Sequence, residues 1–384
     1  MTPRCCGCGR STISISSTHP TFTKPQTPDA QTQQDGTVSE SVSVIDAHIH
    51  QWNPFTTPRK ASGPAKAARR APFLRPVLPR VLPSATREFI GDPQYLLSPY
   101  LPADYLADGG PGHVTTIVHV EAGWHGKGPM GPVGETQWLS SLPFGQGGAP
   151  ALGAIVAYAD PSTPEIANVL DAHLRASPLV RGIRCMGAHS DDPGVMNWAP
   201  QAHWLAQPAF LRGFSAVAER DLSFEIWVYA HQLPDALTLA REYPGTTFVL
   251  DHYATPVGVL GPRGKHTGST ESERREILQQ WHDDISALAE LPNVVAKHSG
   301  LGMPILGAGP MPREQLRDGV APLITHLDQA FGPDRTFWSS NFPIDKPNVS
   351  LADSIWILRE VLGTRFDEQR VLRENARRVY RVAD

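Results

Sequence analysis

The sequence predicts an α/β protein folded as a (β/α)8 TIM barrel. Two observations predict it. Eight short runs of β-branched or apolar residues alternate with longer amphipathic runs, the pattern of parallel strands joined by crossover helices. The alternation fills residues 42–384, a length that suits one closed barrel with insertions. An open doubly wound sheet is the alternative, weakened because no G-x-G-x-x-G turn follows the first run.

Taken in order, the strand candidates are 42–50, 114–121, 152–158, 180–185, 222–229, 246–252, 293–299 and 335–340. Helix candidates lie between and after them at 103–106, 164–176, 209–220, 234–243, 272–291, 313–331, 351–362 and 367–380. Ser162 and Thr163 are capping residues for the second of these. Two stretches exceed a minimal barrel. Residues 53–99 follow the first strand and are dense in Pro, Arg and Lys. Residues 187–206 follow the fourth and carry His189, Trp198, His203 and Trp204. Insertions at that end of a barrel shape a substrate pocket or form loose surface loops.

Residues 1–41 are rich in Ser, Thr, Pro and Gln and lack apolar periodicity, so a disordered tail is expected ahead of the barrel domain at 42–384. Arg4, Arg10 and Lys24 precede the first acid, Asp29, a faint transit-peptide pattern; an over-long start fits equally. No apolar segment follows, which argues against secretion.

The chain has 384 residues and a formal net charge of −4, without the basic face that a nucleic-acid partner needs. No run of eighteen apolar residues occurs, so no membrane span is expected. Cys5, Cys6 and Cys8 crowd the N-terminus and Cys185 stands alone. That is neither a disulfide framework nor zinc-finger spacing, and it fits the cytoplasm. The expected partner is a small-molecule substrate, with homo-oligomerisation open.

In Ile45-Asp46-Ala47-His48-Ile49-His50 the two histidines are two apart, hence on one side of a strand, at the barrel end where active sites lie. Two imidazoles converging there can bind a metal or polarise a carbonyl; a satisfied core pair is the rival. His252 ends the apolar run from Phe248 and is a third ligand or acid/base. Tyr229 and His231 end the fifth strand, and His231 is a weaker ligand candidate. His119 and Glu121 are in phase at the end of the second strand. Arg184 and Lys297 end the fourth and seventh, and need a carboxylate partner or an anionic substrate. Asn341 is in phase with Phe337 and Ser339, with Asp345 in the loop beyond.

The ordered set His48-x-His50, Glu121 with Trp124, Val180-Arg-Gly-Ile-Arg184, Asp251-His252, Lys297-x-Ser-Gly-Leu301, Ser340-Asn-Phe-Pro-x-Asp345 and Asn375-Ala-x-x-Val-Tyr380 resembles the amidohydrolase-related family. That family holds TIM-barrel metal-dependent hydrolases, pyrone-dicarboxylate and sugar-acid lactonases, and zinc-dependent aminocarboxymuconate-semialdehyde decarboxylases. The resemblance implies a hydrolase of a lactone or ester of a small carboxylated substrate. It also implies one divalent metal, zinc first, on His48, His50 and His252, although the lactonase branch implies that metal-free hydrolysis is open. Relatives place an aspartate where this chain has Asn341, so Asp345 becomes the expected base. Arg184, Lys297, Glu121 and Tyr229 would meet the substrate. A carboxylate base predicts an acidic limb in the pH profile and a histidine base a limb nearer neutrality. The alternatives are a zinc decarboxylase using His231 and a ligand-binding barrel without catalysis.

Overall fold

Near-continuous apolar runs of five to eight residues pair as strands because both faces are covered, by helices outside and by facing strands inside. In the computed structural model, which describes residues 42–77, 82–109 and 114–383, eight parallel strands follow one another in sequence order around a sheet. They are β1 (Val44–Ile49), β2 (Val114–Val120), β3 (Ala151–Tyr158), β4 (Val180–Arg184), β5 (Ser223–Ile226), β6 (Phe248–Leu250), β7 (Val294–His298) and β8 (Thr336–Trp338). The ring closes just beyond β8, where Asn341 N donates to His48 O at 2.9 Å and His50 N to Phe342 O at 2.8 Å. The (β/α)8 barrel is therefore as expected. The tail and its three cysteines lie outside the described residues, and Cys185 is a buried free thiol.

The strands are shorter than their apolar runs at the C-terminal ends. The expected strands through Tyr229, His252 and Ser340 stop at Ile226, Leu250 and Trp338. The chain there bends to form the site instead of extending the ladder. Outside, the helix Glu271–Ala289 begins with a reciprocal cap. Glu273 N donates to Thr270 Oγ1 at 3.2 Å, and Thr270 N to Glu273 Oε2 at 3.1 Å. The helix Val133–Leu139 after β2 had no sequence expectation; Gly131, Pro132 and Gly134 obscure it.

The barrel interior is filled by Ile45, Ala47, Val118, Val120, Ala154, Val156, Val249, Val295 and Phe337. The motif 375–380 plugs its N-terminal end. Asn375 Nδ2 donates to Pro333 O at 2.7 Å and Thr336 O at 2.8 Å, at the start of β8. Tyr380, on the helix Asn375–Tyr380, reaches up the interior to give its hydroxyl to Glu225 Oε1 at 2.5 Å.

Both insertions are ordered in their described parts. The first is pinched at its base by the antiparallel bridge Trp52–Tyr100 and carries the helices Ser62–Arg70 and Ser84–Ile90. Phe89 packs between Trp198 of the second insertion (ring centroids 5.1 Å) and Trp227 beyond β5 (5.7 Å). Asp192 of the second insertion accepts the amides of Lys265 (2.9 Å), His266 (2.8 Å) and Thr267 (3.2 Å), tying it to the loop after β6. The loops at the strand C-termini thus interlock. No helix among the described residues is long and apolar enough to cross a membrane.

Candidate active site

Strict alternation along β1 would point His48 away from the interior, because Ile45 and Ala47 already face it. A register shift between Asp46 and Ile49 re-aims the chain. His48 N donates to Asp46 Oδ1 at 3.3 Å across the irregularity, and Ser340 N holds the same oxygen at 2.9 Å. After this step His48 and His50 both face the mouth, with Nε2 atoms 3.2 Å apart. His252 joins them, its ring centroid 4.6 Å from that of His48. The three are almost wholly buried, at 0%, 5% and 3% exposure.

His252 sits on a turn in which it, Tyr253, Ala254 and Thr255 all have φ between 41° and 56°. Four successive left-handed residues without a glycine cost about 1–3 kcal/mol each, so packing must impose the turn. Ser299 Oγ is 2.7 Å from His252 Nδ1. Gly300, at φ +72°, passes so close that a Cβ would lie 2.6 Å from His252 Cβ. No glycine signals the turn in the sequence, so its conformation was not legible there.

Around the histidines lies a buried ionic cage. Arg184 Nη2 donates to Glu121 Oε1 at 2.8 Å and Nη1 lies 3.5 Å from Asp251 Oδ2. Lys297 Nζ is 3.1 Å from Asp251 Oδ1 and pairs tightly with Glu225 Oε2. Two cations therefore meet three carboxyl groups, and burial and then Asp251 raise that of Glu225 to about 8 against the pull of Lys297. Both cations thus have the carboxylate partners that their burial requires, Glu121 and Asp251 for Arg184, Glu225 and Asp251 for Lys297. Asp251 was seen only as part of a motif, and Glu225 was missed. A glutamate in the inward phase of a buried strand was the available signal.

The tautomer of His50 is set by its Nδ1–H, which donates to Val120 O at 2.9 Å and leaves the Nε2 lone pair towards His48. His48 has two consistent states. Its Nδ1 can accept from Lys297 Nζ at 3.1 Å while Nε2–H donates to His50, which leaves Asp251 Oδ2 buried without a hydrogen bond. Alternatively Nδ1–H donates to Asp251 Oδ1 at 3.2 Å, and two lone pairs face each other 3.2 Å apart. That separation matches the roughly 3.3 Å edge of a tetrahedron with Zn–N bonds of about 2.0–2.1 Å. One ligand atom each from His48, Asp251 and His252 lie within 4.8 Å of one another. The donor set therefore fits a divalent ion, with Arg184 Nη1 only 3.4 Å from His48 Nε2. His231 is not of this group: it is exposed and stacks on Tyr229 at 6.4 Å.

Burial pushes His48 and His50 well below the usual imidazole range, reinforced by Lys297 for the first and Arg184 for the second. Burial lowers His252 to about 3, helped by Arg184 and Lys297 against the pull of Asp251. Burial works to raise Asp251, but Lys297 and then His48 outweigh it and keep it ionised. Asp345 is the opposite case. Burial raises its carboxyl to about 7, although Gly302 N (3.0 Å) and Asn341 Nδ2 (2.8 Å) donate to it. The expected order of the two candidate bases is thus inverted: the carboxylate titrates near neutrality and the histidine in acid.

Asn341 turns its amide to Asp345 with its backbone at φ 56°, a region Asn tolerates, and its N–H binds His48 O. Tyr229 is buried and gives its hydroxyl to Met196 O at 2.5 Å. His119 faces the helix layer, accepting from Gln51 N at 3.2 Å and lying 3.8 Å from Glu135.

Comparison with known proteins adds kinship to this geometry. The amidohydrolase family model matches residues 45–382. An uncharacterized protein of Sinorhizobium fredii is 31% identical over 347 residues, covering 89% of this chain and 99% of that one. An L-fucono-1,5-lactonase of Burkholderia ambifaria is 32% identical over 194 residues, 50% of this chain and 56% of that enzyme. The crystal structure of an amidohydrolase from Burkholderia multivorans with bound zinc superposes with a TM-score of 0.64 at 20% identity, over 88% of this chain and 99% of that one.

Proposed function

The chain belongs to the amidohydrolase family, and on that premise we propose that it hydrolyses the lactone or ester bond of a small carboxylated substrate. The observation that carries this reading is the pair of neutral imidazoles, Nε2 to Nε2 at 3.2 Å, inside a buried cage of three carboxyl groups and two cations at the barrel mouth. The partial likeness to an L-fucono-1,5-lactonase supports a lactone as the bond cleaved.

His48, His252 and Asp251 are the residues whose ligand atoms cluster closely enough to hold a divalent ion, zinc by preference for its imidazole and carboxylate donors, and His50 borders them through its Nε2 beside that of His48. Such an ion, when bound, supplies Lewis-acid polarisation of the scissile carbonyl. The chain's own residues do the rest. Lys297 and Asp251 set the tautomer of His48, and Val120 O sets that of His50. Arg184 Nη1, next to His48 Nε2, is placed to stabilise an oxyanion forming there. Asp345, poised near neutrality, takes the proton of the attacking water, and Asn341 orients its carboxyl. The interlocked loops, with Phe89 between Trp198 and Trp227, exclude bulk water.

The test is turnover of a panel of aldonic and dicarboxylic lactones by full-length protein, before and after chelation and zinc restoration. Hydrolysis of at least one carboxylated lactone is expected. A panel left wholly intact by zinc-restored enzyme would refute the reading.

A further inference from the structure

Three cations at strand C-termini or in the loops just beyond them deserve comparison, and only two are committed. Arg184 is held by Glu121 and Asp251, and Lys297 by Glu225 and Asp251. A substrate carboxylate could recruit either only by leaving a buried acid uncompensated. Arg59, in the insertion after β1, differs. Among the described residues its guanidinium has no hydrogen bond and no ion pair. It lies half-buried over the Trp52 ring, 4.8 Å from the centroid. Trp52 is itself buried, pinned by Nε1 to Ser98 O at 2.9 Å, and stands two residues beyond His50.

The loop after β2 completes the setting. His125 N donates to Pro58 O at 2.7 Å, locking that loop against the residue before Arg59. Gly123, at φ +72°, brings that loop alongside the guanidinium; a Cβ there would lie in van der Waals contact with Nη2, at 3.7 Å. Burial lowers the Arg59 guanidinium from its usual range while leaving it charged, and the acids that oppose this, Glu135 and then Glu121, make no ion pair with it. Glu135 is engaged with Ala122 N at 3.0 Å, and Glu121 with Arg184 and Gly123 N.

We propose that Arg59 is the specificity residue that receives the free carboxylate of the substrate, its planar fork presented by stacking on Trp52. The inference takes its substrate class from the hydrolase reading above. A guanidinium flat on an indole keeps its N–H edge outward, and that edge matches a carboxylate bidentately. An ammonium in its place supplies charge without the fork. Substrates lacking the carboxylate gain nothing from Arg59 and leave its desolvation uncompensated.

The experiment compares full-length native protein with R59M and R59K in two arms. The first measures kcat/KM for a carboxylated lactone relative to its methyl ester. The ratio is expected to fall about 10- to 100-fold in R59M, through KM rather than kcat, with R59K between. The second titrates glutarate calorimetrically at neutral pH, where the native affinity should drop by the same factor in R59M. If no lactone is turned over, the hydrolase reading fails and the glutarate arm alone decides. An unchanged acid-to-ester ratio in an active enzyme, or glutarate binding that is equal or undetectable in native and R59M, overturns the proposal.

Discussion

Replacing Asp345 by Asn separates the energetics of a buried base from its chemistry. Burial moves this carboxyl from an ordinary 3.8 to about 7. The gap of about 3 units is worth up to about 4 kcal/mol at about 1.36 kcal/mol per unit. The folded value lies above the unfolded one, so the carboxyl costs nothing below pH 3.8. The cost grows as pH rises from there to about 7, because the unfolded chain ionises first, and it is complete above 7. Asparagine carries no such cost. It does present an NH2 to one of the two donors, Gly302 N or Asn341 Nδ2, losing a buried hydrogen bond at about 1–2 kcal/mol at every pH. Asp345→Asn should therefore be less stable than the native protein near pH 4 and more stable above pH 7. Urea unfolding across that range reads the crossing directly. Catalysis should move the other way, with kcat/KM falling about 10²- to 10⁴-fold and the limb near pH 7 vanishing. A stability difference that does not vary with pH would refute the burial argument. Full activity with an unchanged limb near 7 would remove Asp345 as base, and a limb near 3 would point to His252.

Other consequences are as direct. Lys297→Met leaves Glu225 and Asp251 without their shared cation and should cost about 3–5 kcal/mol in chemical denaturation; a loss under about 1 kcal/mol would mean the pairs contribute little. Asn341→Asp sets a second carboxyl where the amide now meets Asp345 Oδ1 at 2.8 Å, so the two share a proton. Zinc affinity of that variant, measured by competition with a chromogenic chelator, should exceed the native value progressively as pH rises from 6 to 8; native affinity throughout would count against it. Gly300→Ala meets both a left-handed backbone and a Cβ contact of 2.6 Å with His252, so turnover should fall at least tenfold, and unimpaired turnover would show that the position of His252 is not critical.

Much of this fold was legible because barrel strands advertise themselves as apolar runs of limited length, and each of the eight runs overlaps a strand. Their ends were not. At Trp227, His252 and Asn341 the apolar pattern continues past the last ladder bond, because burial rather than pairing selects those residues. The histidine pair was found by a period-two argument that the molecule satisfies only through the register shift at Asp46–Ile49. Strict alternation from Ala47 would have turned both rings outward. Arg184 and Lys297 announced themselves as charges in apolar runs. What they pair with depends on neighbouring strands in the ring, so Glu225 and Asp251 could be assigned only in three dimensions. The helices of the 53–99 insertion were hidden by Pro and basic residues, yet that segment supplies Phe89 and Arg59.

The central claim is that His48 and His50 face each other through working Nε2 atoms. The most direct measurement is turnover by His50→Asn, alongside its unfolding curve. Asparagine can keep the donor to Val120 O while removing Nε2. The account predicts a native-like fold and a loss of at least about 100-fold in kcat/KM on the native enzyme's best carboxylated lactone. Near-native turnover by a well-folded His50→Asn would contradict it and return the pair to the role of satisfied core histidines.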